Sequence, residues 1–174
     1  HVKGSHPATP HDVFFETQAF STVGQSFVYL SFNQIAKLYI LNQARIEIST
    51  NNGGTWTNVY PSANYHGESP NYTSLGFFNT VSYGLDWQPT SNSGPTSIPD
   101  SSWWRKELID LTPLLGTGHT QVKVRFRANF TGPSSSGFLS GWYVDDVQVL
   151  GSSCEIIPPV LSFDNFGACA YGPV

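Results

Sequence analysis

The sequence predicts an all-β protein, a two-sheet antiparallel β-sandwich, and three observations carry that prediction. Along 122–130, Val122, Val124, Phe126, Ala128 and Phe130 alternate with Lys123, Arg125, Arg127 and Asn129. This is the two-residue period of a strand with one face in a core and the other in water. Helical periodicity is nearly missing from the chain. The apolar runs are short and are punctuated by Gly, Pro, Asn and Ser, as in sandwiches and barrels.

In chain order, residues 1–12 (HVKGSHPATPHD) have no periodicity and read as an entry segment. Val28, Leu30 and Phe32 then share one face of a strand. Ala44, Ile46 and Ile48 do the same in the next run, which breaks at Asn51-Asn52-Gly53-Gly54, where the glycines supply positive φ. Trp56 and Val59 follow, so a hairpin is expected. The stretch 61–102 is rich in Ser, Asn, Pro, Gly and Tyr and predicts one or two short strands among long loops, of the kind that carries function. Residues 109–116 hold one helical turn, with Thr112 as cap and Pro113 at the first position. A Gly/Ser/Pro loop at 131–137 leads to a final strand, Trp142 to Leu150. After Gly151 the composition shifts to Ser, Cys and Pro158-Pro159. A β-sandwich module over 1–151 is therefore expected, with 152–174 a stiff linker or the start of a neighbouring module.

With 174 residues the chain suits one domain. Charged residues make up 11%, against roughly 25% in ordinary soluble domains. Hydroxyls and amides replace them at the surface, a pattern expected of secreted or cell-surface proteins. A net charge of −4 argues against a nucleic-acid partner. Nothing approaches the run of about 18 apolar residues that membrane insertion needs. The chain starts at His1 and contains no methionine, which reads as a piece excised from a larger polypeptide with its export signal elsewhere. Cys154 and Cys169 lack CxxC spacing and are expected either to close a small disulfide loop or to stay free.

Several segments, in order, resemble a family. They are Ala44-Arg45-Ile46-Glu47-Ile48-Ser49-Thr50-Asn51-Asn52-Gly53-Gly54-Thr55-Trp56, then Trp103-Trp104 leading to Ile109-Asp110-Leu111. Val122-Lys123-Val124-Arg125-Phe126-Arg127 and Gly141-Trp142-Tyr143-Val144-Asp145-Asp146-Val147 follow. The set, between about 27 and 150, is similar to the cleaved-adhesin and MAM-like modules of bacterial surface proteins and secreted peptidases, common in multidomain products of type IX secretion. The resemblance implies a jelly roll of galactose-binding-like type with structural calcium. It also implies that a carboxylate of the first strand meets one of the last at the metal. The matching residues are Glu16, in Val13-Phe14-Phe15-Glu16, and the pair Asp145-Asp146. The long 61–102 stretch and the N-terminal segment depart from the family pattern.

The acidic pair has its own physical logic. Adjacent strand residues face opposite sides, so with both faces covered one carboxylate leaves water and needs donors, a cation or a proton. Calcium, with six to eight oxygen ligands, is one solution; backbone N–H donors in a turn are the other. Catalytic machinery is not expected. Gly137-Phe138-Leu139-Ser140-Gly141 lacks nucleophile-elbow spacing, and His1, His6, His11, His66 and His119 have no metal-ligand spacing. Nothing singles out Glu107 and Asp110 as an acid–base pair. The aromatics remain. Of Trp103 and Trp104, one packs inward and the other projects outward, where it meets Tyr60, Tyr65 or Tyr72 to stack on a ligand or is covered by the long loop. Asn71-Tyr72-Thr73 and Asn129-Phe130-Thr131 fit the glycosylation pattern. The expected function is non-catalytic: adhesion, or binding of a glycan or surface protein, beside neighbouring domains of the same polypeptide. An accessory or spacer domain of a secreted peptidase or glycoside hydrolase is the alternative.

Overall fold

The computed structural model describes residues 10–61, 63–84, 99–116, 118–130, 141–152 and 172–173. Trp87, Cys154 and Cys169 lie outside the described residues, so the cysteine expectation does too. The fold is all-β, built from two antiparallel sheets. One has four strands: β1 (His11–Glu16), β7 (Lys123–Phe130), β3 (Gln43–Ser49) and β4 (Thr57–Asn58), in that spatial order. The other runs β5 (Asn64–Tyr65), β6 (Arg105–Asp110), β2 (Phe27–Lys37), β8 (Gly141–Ser152) and β9 (Gly172–Pro173). The last strand pairs Gly172 with Gly151 and Pro173 with Leu150, so part of the segment beyond 151 returns to the same sheet.

Alternation sets which side chains meet between the sheets. From β2 come Val28, Leu30 and Phe32; from β3 come Ala44, Ile46 and Ile48; from β7 come Val124, Phe126, Ala128 and Phe130, all at most 3% exposed. The Phe126 ring, on the four-stranded sheet, meets Phe32 edge-on at 5.2 Å and Trp142 at 5.7 Å, both on the other sheet. Phe15 of β1 stacks on Phe126 at 4.6 Å. This aromatic column joins the two sheets at their centre.

Among the described residues, two short α-helices lie outside the sheets, α1 (Tyr72–Leu75) and α2 (Thr112–Leu115). The second is the expected turn, displaced by one residue. Leu111 is its N-cap and Thr112 is already helical. The Thr112 hydroxyl instead accepts from the backbone N–H of Val28 at 3.0 Å, so it caps the entry of β2 rather than the helix.

The last long strand departs from simple alternation. Trp142 and Val144 face the core opposite Ala36 and Gln34, and Val149 faces it opposite Leu30. The register shifts between Ser31 and Asn33, where Asp146 adopts φ 51°. This bulge inserts one residue and turns the strand's phase over. Asp145 and Asp146 consequently both stand exposed, correcting the expectation that one of them is withdrawn from water.

Candidate functional site

The implied metal ligands are not gathered. Glu16 sits on β1, its carboxylate 3.7 Å from Lys123 Nζ. Asp145 and Asp146 lie on β8 in the other sheet, where Asp145 Oδ1 accepts the Asp146 N–H at 2.9 Å and Asp146 Oδ2 accepts from Asn33 Nδ2 at 2.7 Å. Among the described residues, no group of three His, Cys, Asp or Glu side chains is placed to hold a metal.

Trp103 ends a single 3-10 turn (Ser101–Trp103) and Trp104 follows it before β6 begins, so strand alternation does not govern the pair. Trp103 packs its ring over Lys37 Nζ at 4.9 Å, and Trp104 is 36% exposed. Lys37 is fully buried, and that burial lowers its pKa. Tyr65 pairs with Ile109 at the far end of β6. Five strand residues, about 16 Å, separate Ile109 from Trp104. The tryptophans and tyrosines therefore do not form one patch.

The three tyrosines do converge with one another. Tyr60 follows β4, Tyr65 ends β5 and Tyr72 opens α1; together with Pro61, Asn64, His66 and Thr73 they line a groove of about 460 Å³. Tyr72 is buried, stacks on Phe78 at 4.5 Å and meets Tyr65 at 4.5 Å and Tyr60 edge-on at 6.2 Å. The Tyr60 hydroxyl donates to Thr73 O at 3.2 Å. Gly76 ends α1 at φ 71°, and a side chain there would run into the Tyr60 ring. Glycine thus serves both the left-handed cap and the close approach. The Tyr72 hydroxyl is buried without a hydrogen-bond partner among the described residues. Burial, with Glu107 and Tyr60 adding to it, pushes its pKa up.

Beneath the groove lies a polar chain that the alternating pattern left unremarked. Trp142 Nε1 donates to Gln34 Oε1 at 2.7 Å, and Gln34 Nε2 donates to Glu107 Oε1 at 2.8 Å. The Tyr65 hydroxyl donates to Glu107 Oε2 and accepts the Ser69 N–H at 2.6 Å. Glu107 and Gln34 are both fully buried. Burial raises the Glu107 pKa to about 7, against the opposing pull of the Tyr65 and Gln34 hydrogen bonds, and the charge of Glu68 adds to the rise. The Tyr65 hydroxyl is held well above its ordinary range, first by burial and then by the Glu107 charge. The signal was in the sequence: Gln34 is in phase with Val28, Leu30 and Phe32, and Glu107 with Ile109 and Leu111. Asp110, three residues on, points to the opposite face; it accepts from Asn64 Nδ2 at 3.1 Å and from the Thr112 N–H at 2.9 Å. The two carboxylates do not share a cleft.

Chemically, the groove presents aromatic faces, a histidine, a carboxamide and hydroxyls with few charges. That inventory suits polar neutral ligands that stack and hydrogen-bond at once. No family model, curated protein or solved structure matches this chain.

Proposed function

We propose that this chain is an extracellular, non-catalytic binding module of jelly-roll type, and that the tyrosine-lined groove seats a glycan. The carrying observation is the convergence of Tyr60, Tyr65 and Tyr72, from three separate elements, around one opening of about 460 Å³. A sugar ring offers an apolar face for Tyr60 to cover and hydroxyls for His66 and Asn64 to meet. Rings that are packed before binding lose little freedom on binding. The low charge content supports an extracellular setting, and the ordered resemblance to cleaved-adhesin and MAM-like modules supports a place in a secreted or surface multidomain protein. Among the described residues, the lining of this groove carries no carboxylate.

Glycan-array screening followed by calorimetric titration of the hits tests the proposal. A saturable glycan ligand is expected, weakened at least tenfold by Tyr60→Ala, a change that leaves the buried Glu107 chain intact. An array with no hits, or a ligand indifferent to Tyr60→Ala and to Tyr65→Phe, refutes the glycan assignment.

A further inference from the structure

The outward face of the four-stranded sheet carries four of the chain's eight Lys and Arg residues: Arg45, Lys123, Arg125 and Arg127. Three of them are answered by acids. Arg125 Nη2 lies 2.6 Å from Glu47 Oε2, with its guanidinium 4.2 Å from the Trp56 ring centre and 5.2 Å from that of Phe14. Lys123 faces Glu16. Arg127 reaches Asp12 through Nη2 and Glu47 Oε1 through Nη1 at 3.2 Å. The Asp12 hydrogen bond, with Glu47 adding to it, raises the Arg127 pKa.

Arg45 is different. It lies directly across the β3–β7 ladder from Arg127, and Gln43 lies across from Asn129. Like charges directly opposite one another repel, and among the described residues no carboxylate answers Arg45. Its Nε and Nη2 donate to one neutral atom, Gln43 Oε1, at 3.0 and 2.5 Å. The amide oxygen fixes the guanidinium plane without cancelling its charge. Nη1 is left without a described partner. Asn129 is fixed in turn by donating from Nδ2 to Asp12 Oδ1 at 2.7 Å, which leaves its carbonyl oxygen to accept. These four side chains line a pocket of about 220 Å³.

We infer that this pocket binds the carboxylate of a small hydroxylated acid, of the size and chemistry of a uronic acid residue. An uncompensated guanidinium held in a fixed plane matches a carboxylate fork. The flanking carboxamides offer an acceptor at Asn129 and a donor at Gln43 for hydroxyls. The volume equals about seven waters at roughly 30 Å³ each, more than a lone oxyanion fills. The site is on the opposite sheet from the tyrosine groove and stands independently of it.

The test is titration of the full chain, followed by NMR or calorimetry at low ionic strength, with sodium glucuronate, glucose and sodium sulfate. Glucuronate is expected to bind saturably, to weaken at higher salt, and to bind more tightly than either glucose or sulfate. Arg45→Gln is expected to cost at least tenfold, and Arg45→Lys, which keeps the charge and loses the fork, several-fold. Tyr60→Ala is expected to leave glucuronate binding unchanged. Sulfate binding as tightly as glucuronate overturns the carboxylate assignment. An absence of saturation overturns the site, as does unchanged affinity in an Arg45→Gln variant whose melting shows it folded. Loss in Tyr60→Ala alone moves the acid to the tyrosine groove and overturns the site as well.

Discussion

Replacing Glu107 with Gln isolates the free energy of holding an ionised carboxylate inside the sandwich. In the unfolded chain this carboxyl titrates near its ordinary 4.5, and in the fold near 7, chiefly because it is buried. Between those values the native state binds more protons than the unfolded state, so stability falls as pH rises. The favourable contribution of the protonated form is complete below about 4.5 and lost as pH climbs through about 7. At about 1.4 kcal/mol per tenfold change in proton affinity, the interval corresponds to about 3 kcal/mol. Glutamine has the shape of the protonated acid and no charge to desolvate. It is therefore expected to be close to neutral at pH 4 and to stabilise the fold by about 3 kcal/mol at pH 8.5, roughly 6–12 °C in melting midpoint. Urea denaturation of both proteins between pH 4 and 8.5, followed by tryptophan fluorescence, measures the difference directly. A gap that stays constant across this pH range would show that Glu107 is not the buried titrating group and would refute the reasoning.

Substitutions at three further sites probe the frame. Asp146, at φ 51°, is expected to tolerate Gly within about 1 kcal/mol, while Val there costs about 1–2 kcal/mol of left-handed strain; denaturant midpoints compare the two. Gly67→Ala places a methyl group against Glu107 Oε2 and the Tyr65 hydroxyl. It is expected to cost about 1–3 kcal/mol and to perturb Tyr65 resonances in NMR spectra. Phe126→Ala removes the ring on which Phe15, Phe32 and Trp142 meet; about 3–5 kcal/mol of stability is expected to go with it, read by urea denaturation.

The long strands were legible because burial on one face writes itself as a two-residue period. Val124, Phe126 and Ala128 needed nothing more. Polar residues on the inner face were legible too, since Gln34 and Glu107 sit in phase with apolar neighbours; only their partnership required coordinates. The bulge at Asp146 was not legible. No glycine marks its positive φ, and a single inserted residue changes no composition while reversing every face after it. The placement of Glu16 and the acidic pair on different sheets was not legible either. β1 pairs with β7 in the four-stranded sheet, whereas β8 pairs with β2 in the other, and sheet membership is not written in alternation. The tyrosines were visible as a loop-borne trio, but their convergence depends on α1 folding back over β5, with Gly76 permitting Tyr60 to approach.

The buried carboxylate and the groove are one construction joined at Tyr65. Its hydroxyl is held from two sides, donating to Glu107 and accepting from the Ser69 N–H, while its ring lines the groove. A hydrogen bond to a charged acceptor is stronger than one to a neutral acceptor, so ionised Glu107 destabilises the sandwich and at the same time grips the ring. An aromatic fixed before a ligand arrives has less rotamer freedom left to lose. Gln at 107 keeps an acceptor for Tyr65, and Leu removes it. For a glycan seated in the groove, Glu107→Leu should therefore weaken binding more than Glu107→Gln does. Equal affinity in the two variants would mean that packing by Tyr72 alone orients Tyr65, and that the buried chain serves only the core.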